Sequence, residues 1–263
     1  MNKKQKITLL LTFFTALALL GTIFLVEKRQ EIRKKAEEEI ITTFTVCPQN
    51  QPGCNFTGGD GIQQAVNAAS VGNSTQKTKI IIKPGTYTRQ NYTEFVTNDG
   101  FKKKCFVGIQ EKYLIFEGEG EAVLDGINSA YMDGFCVNGG GIKIINLKIK
   151  GFKKEGGCSL WGDSVQFCGA GIGIFLKNTQ ADIINIISEN NEDDGVVLMG
   201  SSKAEIIGNQ ISKNGWAGIS FWDSSEGNIK NNTISENNGY GIYLTGSSKA
   251  EIIGNQISKN GWA

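Results

Sequence analysis

The chain has 263 residues, enough for one domain of ordinary size or for a stack of coils with attachments. Its 27 Lys and Arg nearly balance its 26 Asp and Glu, so nothing in the charge points to a nucleic-acid footprint. It has no histidine, and so lacks the commonest general base, zinc ligand and pH switch.

The first element is residues 7–26, an uncharged run preceded by Lys3, Lys4 and Lys6. At ~1.5 Å per residue a helix there spans about 30 Å, the thickness of one hydrocarbon core. It predicts a single-pass signal anchor with residues 1–6 as a cytoplasmic tail and the rest outside the cell membrane. Ala16-Leu17-Ala18 offers the alternative of a cleaved signal peptide, but that cut leaves residues 19–26 as an apolar stub. Lys28, Arg29, Arg33, Lys34 and Lys35 follow the span, so basic residues do not set the orientation; the short tail and the cysteines beyond it do. Residues 27–42 read as a charged helical stalk, with a Glu31–Lys35 pair and an Ile32, Ala36, Ile40 stripe.

Six cysteines follow, at 47, 54, 105, 136, 158 and 168. An even number beyond an export signal predicts disulfides, with 15 connectivities open. Local closure favours Cys47–Cys54, Cys105–Cys136 and Cys158–Cys168. The segment between Cys158 and Cys168 is too long for a turn and too irregular for a strand, which makes it a candidate functional loop.

Residues 43–263 read as one solenoid, with a cap over 58–100 and coils over 101–263. In the cap, Asp60 to Ala69 predicts a short amphipathic helix, with Asp60 as its capping residue and Gln63 three positions on. Lys79 to Lys83 predicts a strand, and Pro84-Gly85-Thr86-Tyr87 a turn. Tyr113 to Phe116, Val123 to Gly126 and Ile142 to Ile149 predict the first coils.

From residue 170 the chain repeats itself. Gly200 to Ala217 reads GSSKAEIIGNQISKNGWA, and Gly246 to Ala263 is the same sequence. The offset is two coils of about 23 residues, a period that signals stacked supersecondary units. Gly173-Ile174-Phe175-Leu176, Gly195-Val196-Val197-Leu198, Gly218-Ile219-Ser220-Phe221 and Gly241-Ile242-Tyr243-Leu244 are short strands of period two. Second strands surround Ile183, Ile206, Ile229 and Ile252, and third strands surround Ile187, Ile211, Ile234 and Ile257. Asn185, Asn209, Asn232 and Asn255 are expected to stack as a ladder at one corner, where a turning backbone needs side-chain partners. The sequence stops at Ala263, at a point where the earlier copy runs straight into a strand, so further coils or a covering polypeptide are expected.

The pattern G-I-x-L…S-S-x-x-x-I…N-x-I-S-x-N resembles the right-handed parallel β-helix repeat of pectin-lyase-like proteins. The order G-I-Q-x-A-V-x-A-A…I-x-P-G-T-Y from Gly61 to Tyr87 resembles their N-terminal cap. The likeness covers about residues 58–263. It implies an all-β, right-handed parallel β-helix with a cap helix, and a role connected with polysaccharide. The superfamily spans lyases, hydrolases, epimerases, adhesins and scaffolds, so activity does not follow from fold. The Gly-His-Gly and Asp-Pro-His segments of its hydrolases and epimerases are absent, and no arginine follows Arg89 to serve as a lyase base. No catalytic residue is assigned.

The candidate binding residues are aromatic and acidic. Trp216, Tyr240 and Trp262 recur near one corner, Phe175 and Tyr243 hold outward strand positions, and Trp222 lies beside Asp223. Trp216, Trp222, Tyr240 and Tyr243, with Asp193, Asp194 and Asp223 at their rim, suit sugar stacking. Glu192-Asp193-Asp194 also suggests calcium, although no cofactor is otherwise expected. The alternatives are a polysaccharide lyase or glycoside hydrolase, and a non-enzymatic adhesive rod whose apolar column of Phe175, Val197 and Tyr243 meets a partner. Nothing in the sequence sets the oligomeric state.

Overall fold

The computed structural model describes residues 39–159 and 166–262. Short strands of two to nine residues, broken by Gly and Asn, wind into three sheets. One sheet runs from Phe56–Thr57 and Glu39–Cys47 through Gln76–Ile82, Tyr113–Gly118, Gly141–Ile145, Gln180–Ile184, Lys203–Ile207 and Glu226–Lys230 to Lys249–Ile253. The second runs from Gly85–Tyr87 to Gln256–Ser258, and the third from Thr93–Val96 to Ile242–Leu244. Each coil contributes one strand to each sheet. Among the described residues the strands of successive coils pair in parallel, and Thr93–Val96 runs antiparallel to Lys102–Gln110 at the start of the third sheet. This is a three-sheet parallel β-helix.

The 23-residue period becomes vertical files of side chains. Ile183, Ile206, Ile229 and Ile252 are register partners in the first sheet. Leu176, Leu198, Phe221 and Leu244 are partners in the third. Period-two alternation points these residues inward, and Ile183, Ile206, Ile229, Leu198 and Phe221 are fully buried in one continuous core. Ile252 on the last described coil is 46% exposed. Lysine–carboxylate pairs bridge the outside of successive coils, as Lys203–Glu226 and Lys230–Glu251 do, and such exposed pairs add little stability.

The corners are built from polar ladders, and here the structure shifts the expected register. Asn209 takes the amide hydrogen of Ile186, and Asn232 and Asn255 continue the stack at 2.8–2.9 Å. Asn185 is not a member. It stands one position earlier, in the left-handed file of Asn146, Asn185, Gly208, Asn231 and Gly254, with φ between 52° and 67°. Only Gly, and Asn among common residues, holds that conformation cheaply. Ile187 likewise pairs with Gln210 rather than Ile211, so Ser188 takes the inward place. From Gln180 onward the first two sheets step by 23 residues per coil, and the third does so from Val196, whereas the I-S-x-N motifs at Ile187 and Ile211 stand 24 apart. A second ladder, Asn191, Asn214, Asn237 and Asn260, fills another corner.

A helix, α1 (Gly58–Ala68), packs Ile62, Ala65 and Val66 into the first coil's core. It begins two residues before the expected start, with Thr57 at its N-cap and no side-chain cap bond. Asp60 therefore does not cap; it accepts a bond from the Arg89 guanidinium at 2.8 Å. Gln63 instead pairs with both backbone groups of Gly108, tying α1 to the third sheet. The disulfides are Cys47–Cys54, Cys105–Cys136 and Cys158–Cys168. Residues 39–42, expected at the end of a helical stalk, lie in the strand Glu39–Cys47. The anchor 7–26 and the rest of the stalk are outside the described residues, as is the middle of the 158–168 loop. Among the described residues no helix is long and apolar enough to cross a membrane.

Candidate functional site

The outer face of the third sheet is divided into a covered half and an open half. Its outward file is Cys136, Phe175, Val197, Ser220 and Tyr243. Phe95 and Cys105 from the first strands of this sheet, with Ala170 and Ile172, close an apolar roof cluster around the upstream members, in which Phe175, Val197 and Met199 are buried. This corrects the expectation that Phe175 and Val197 offer an apolar column to a partner: the chain covers them itself.

Trp222 packs against the edge of that roof, and from there an aromatic strip runs downstream. Trp216 stacks on Trp222 with ring centres 6.1 Å apart, and meets Tyr243 at 4.8 Å and Tyr240 at 5.9 Å. Tyr243 contacts Trp222 and Tyr240, and Tyr240 contacts Trp262 at 5.1 Å. The four expected rings thus form one cluster, joined by a fifth, Trp262. Trp216, Trp222, Tyr240 and Tyr243 are half-buried, while Trp262 is exposed. The rings are contiguous, mostly edge-to-face or tilted against one another, and each is at least partly exposed. Trp262 belongs in the site for a reason already visible in the sequence, since it is the copy of Trp216 two coils on.

The acidic residues do not all reach that surface. Asp223 is exposed beside Trp222, and its carboxylate accepts the amide hydrogen of Gly200 at 2.9 Å. Asp193 is half-buried, one coil below Trp216, whose amide hydrogen bonds to its carbonyl. Burial pushes its carboxyl up to about 6, Asp133 adds to the rise, and Lys154 and Lys103 oppose it. Asp194 lies beneath the strip, 1% exposed, with Oδ1 accepting the amide hydrogen of Ala217. Burial and the neighbouring Asp193 raise it well above the usual carboxylate range, against the help of Ala217 and Ser220. The Ser220 hydroxyl also accepts the Trp222 indole hydrogen at 3.2 Å, so the strip stands on a polar footing.

Under the roof is a buried ion pair. The Lys103 ammonium meets Asp133 at 2.9 Å and lies 4.4 Å from the Phe175 ring centre. Asp133 also accepts the amide hydrogens of Ala170 and Ile172. Neither charge is exposed, and the pair holds the roof segment onto the sheet. Composition could not reveal it, because its partners are thirty residues apart and meet only through coil stacking.

The calcium suggestion does not find a site. Glu192 turns to the amide hydrogen of Lys154, and Asp194 to that of Ala217. Among the described residues no group of three acidic or cysteine side chains converges to hold a metal ion.

A concavity of about 610 Å³ lies along the first sheet. Asp182, Lys203, Glu205, Glu226, Asn228 and Glu251 are among the residues that line it. Its polar groups pair with one another, as in the Lys203–Glu226 ion pair and the hydrogen bond that Asn228 donates to Glu205. Lys203 holds the Glu226 carboxyl below its usual range, so that side chain stays ionised. The sequence reading missed this groove, though the 23-residue recurrence of Gln180, Lys203, Glu226 and Lys249 marks it.

No curated protein and no solved structure matches the chain significantly. One family model matches residues 115–263, from the first coils through the repeats that carry the strip, which is more than half of the chain. With its parallel coils and that match together, the chain belongs to the family described as NosD, periplasmic copper-binding protein.

Proposed function

We propose that the chain is an extracytoplasmic β-helix, tethered to the cell membrane through residues 7–26, that binds polysaccharide on the aromatic strip of its third sheet. The observation that carries the reading is the contiguity of Trp216, Trp222, Tyr240, Tyr243 and Trp262 over successive coils. Sugar rings offer apolar C–H faces that stack on such surfaces, and Asp193 and Asp223 at the margin supply acceptors for hydroxyls. Three disulfides and a family described as periplasmic support an oxidising compartment outside the cytoplasm. The cap order from Gly61 to Tyr87 supports a finer placement among pectin-lyase-like proteins.

Copper appears in the family's description, and this chain's donors do not fit it. Copper sites draw on imidazole, thiolate and thioether. The sequence has no histidine, all six cysteines are in disulfides, and Met132 and Met199 are fully buried in apolar clusters. No step of the proposed function runs through the metal.

Affinity electrophoresis against a panel of polysaccharides tests the binding reading. Retardation is expected, and Tyr243→Ala should reduce it; free migration in every gel removes the glycan and leaves the adhesive rod. One observation favours cleavage as a second reading: Asp193, half-buried and titrating at about 6, is poised to protonate a glycosidic oxygen. Release of reducing ends that disappears in Asp193→Asn would establish it. A phosphatase fused after residue 100 should be active outside the membrane, and a fusion active only in the cytoplasm would refute the orientation.

A further inference from the structure

The strip has a period, and the period narrows the ligand. Trp216 and Trp262 occupy the same place in identical eighteen-residue copies, two coils apart, with Gly239-Tyr240 between them. Both tryptophan rings lie nearly perpendicular to the Tyr240 ring, at 79° and 78°. Neighbouring strands in a sheet are about 4.8 Å apart, so equivalent tryptophan positions recur about every 10 Å along the solenoid. The intermediate coil offers a different ring in a different attitude.

An extended β-1,4-linked glycan has a closely similar repeat. Its successive sugars turn over, so the same face returns on every second residue along a straight line. Chains linked α-1,4 or β-1,3 curve, and equivalent faces swing away from any straight row of rings. We infer that the strip takes an extended β-1,4-linked glycan laid parallel to the solenoid axis, with alternate sugars over Trp216 and Trp262. The inference rests on the glycan-binding reading above and adds the linkage and direction. Tyr240 and Tyr243 then meet the intervening sugar, and Trp222 closes the strip where the roof begins.

The test is calorimetry on the full-length protein with hexasaccharides of equal length: cellohexaose and chitohexaose, linked β-1,4, against laminarihexaose and maltohexaose. At least one β-1,4 hexasaccharide should bind about tenfold or more tighter than both others, and about tenfold tighter than its own disaccharide. Trp262→Ala should erase the gain of hexasaccharide over disaccharide, with thermal unfolding of the variant reporting whether the fold is kept. Equal or tighter binding of the α-1,4 or β-1,3 chain overturns the inference, as does an unchanged hexasaccharide affinity in a folded Trp262→Ala protein. Retention of some other polysaccharide in the electrophoresis, without a β-1,4 preference, sinks the linkage and spares the glycan reading. No binding to any saccharide sinks both.

Discussion

Replacing Asn232 with alanine removes four hydrogen bonds from the middle of a ladder. The side chain donates to the Ile206 carbonyl and to Asn255, both at 2.8 Å, and accepts from the backbone and side-chain nitrogens of Asn209 at 2.8 and 2.9 Å. It is 1% exposed, so water cannot replace those partners. A buried hydrogen bond contributes about 1 kcal/mol net, and an orphaned buried group costs about 1–3 kcal/mol, which puts the loss at about 3–5 kcal/mol. Asn255→Ala removes fewer bonds at a partly buried site and should cost roughly half as much. Urea unfolding followed by circular dichroism measures the total. Because stacked coils can open one at a time, amide exchange at Ile186 and Asn209 measures the local effect. A loss under about 1 kcal/mol, or unchanged exchange at the Asn209 amide, would refute the view that the corner ladders hold the coils together.

The raised Asp193 and Asp194 carboxyls mean that the folded chain binds protons more tightly than the unfolded one, so stability from these two is full below pH about 4 and is lost as pH rises through about 6 and beyond. Asp194→Asn should flatten that decline in thermal melts between pH 4 and 8, and a parallel pH profile would count against it. Lys103→Met strands a buried carboxylate and should cost about 3–5 kcal/mol, with Asp133→Asn in the same chain recovering part of it; equal stability of single and double variants would contradict the pairing. In competition with a Cu(I) chelator, the metal should stay with the chelator, and stoichiometric transfer to the protein would disprove the reading of its donor set.

The solenoid was legible in the sequence because a coil's instructions are local and repeated. Period-two Ile, Val and Leu, Gly and Asn at each corner, and the identical copies at 200–217 and 246–263 determine strands, turns and the coil length without reference to distant residues. They also place Trp216, Tyr240 and Trp262 at one corner, since stacking at a fixed period turns sequence spacing into height along an axis. Three-dimensional packing alone decided the rest. Strand pairing set the offset at 23 and moved Asn185 and Ile187 out of the files that motif matching assigned them. The roof of Phe95, Ala170 and Ile172 buried Phe175 and Val197, which a strand pattern could only mark as outward. Asp194 and Lys103 became buried charges through neighbours from other coils. Alternation along a strand tells which way a side chain points; whether water or protein waits there depends on chain segments far away in sequence.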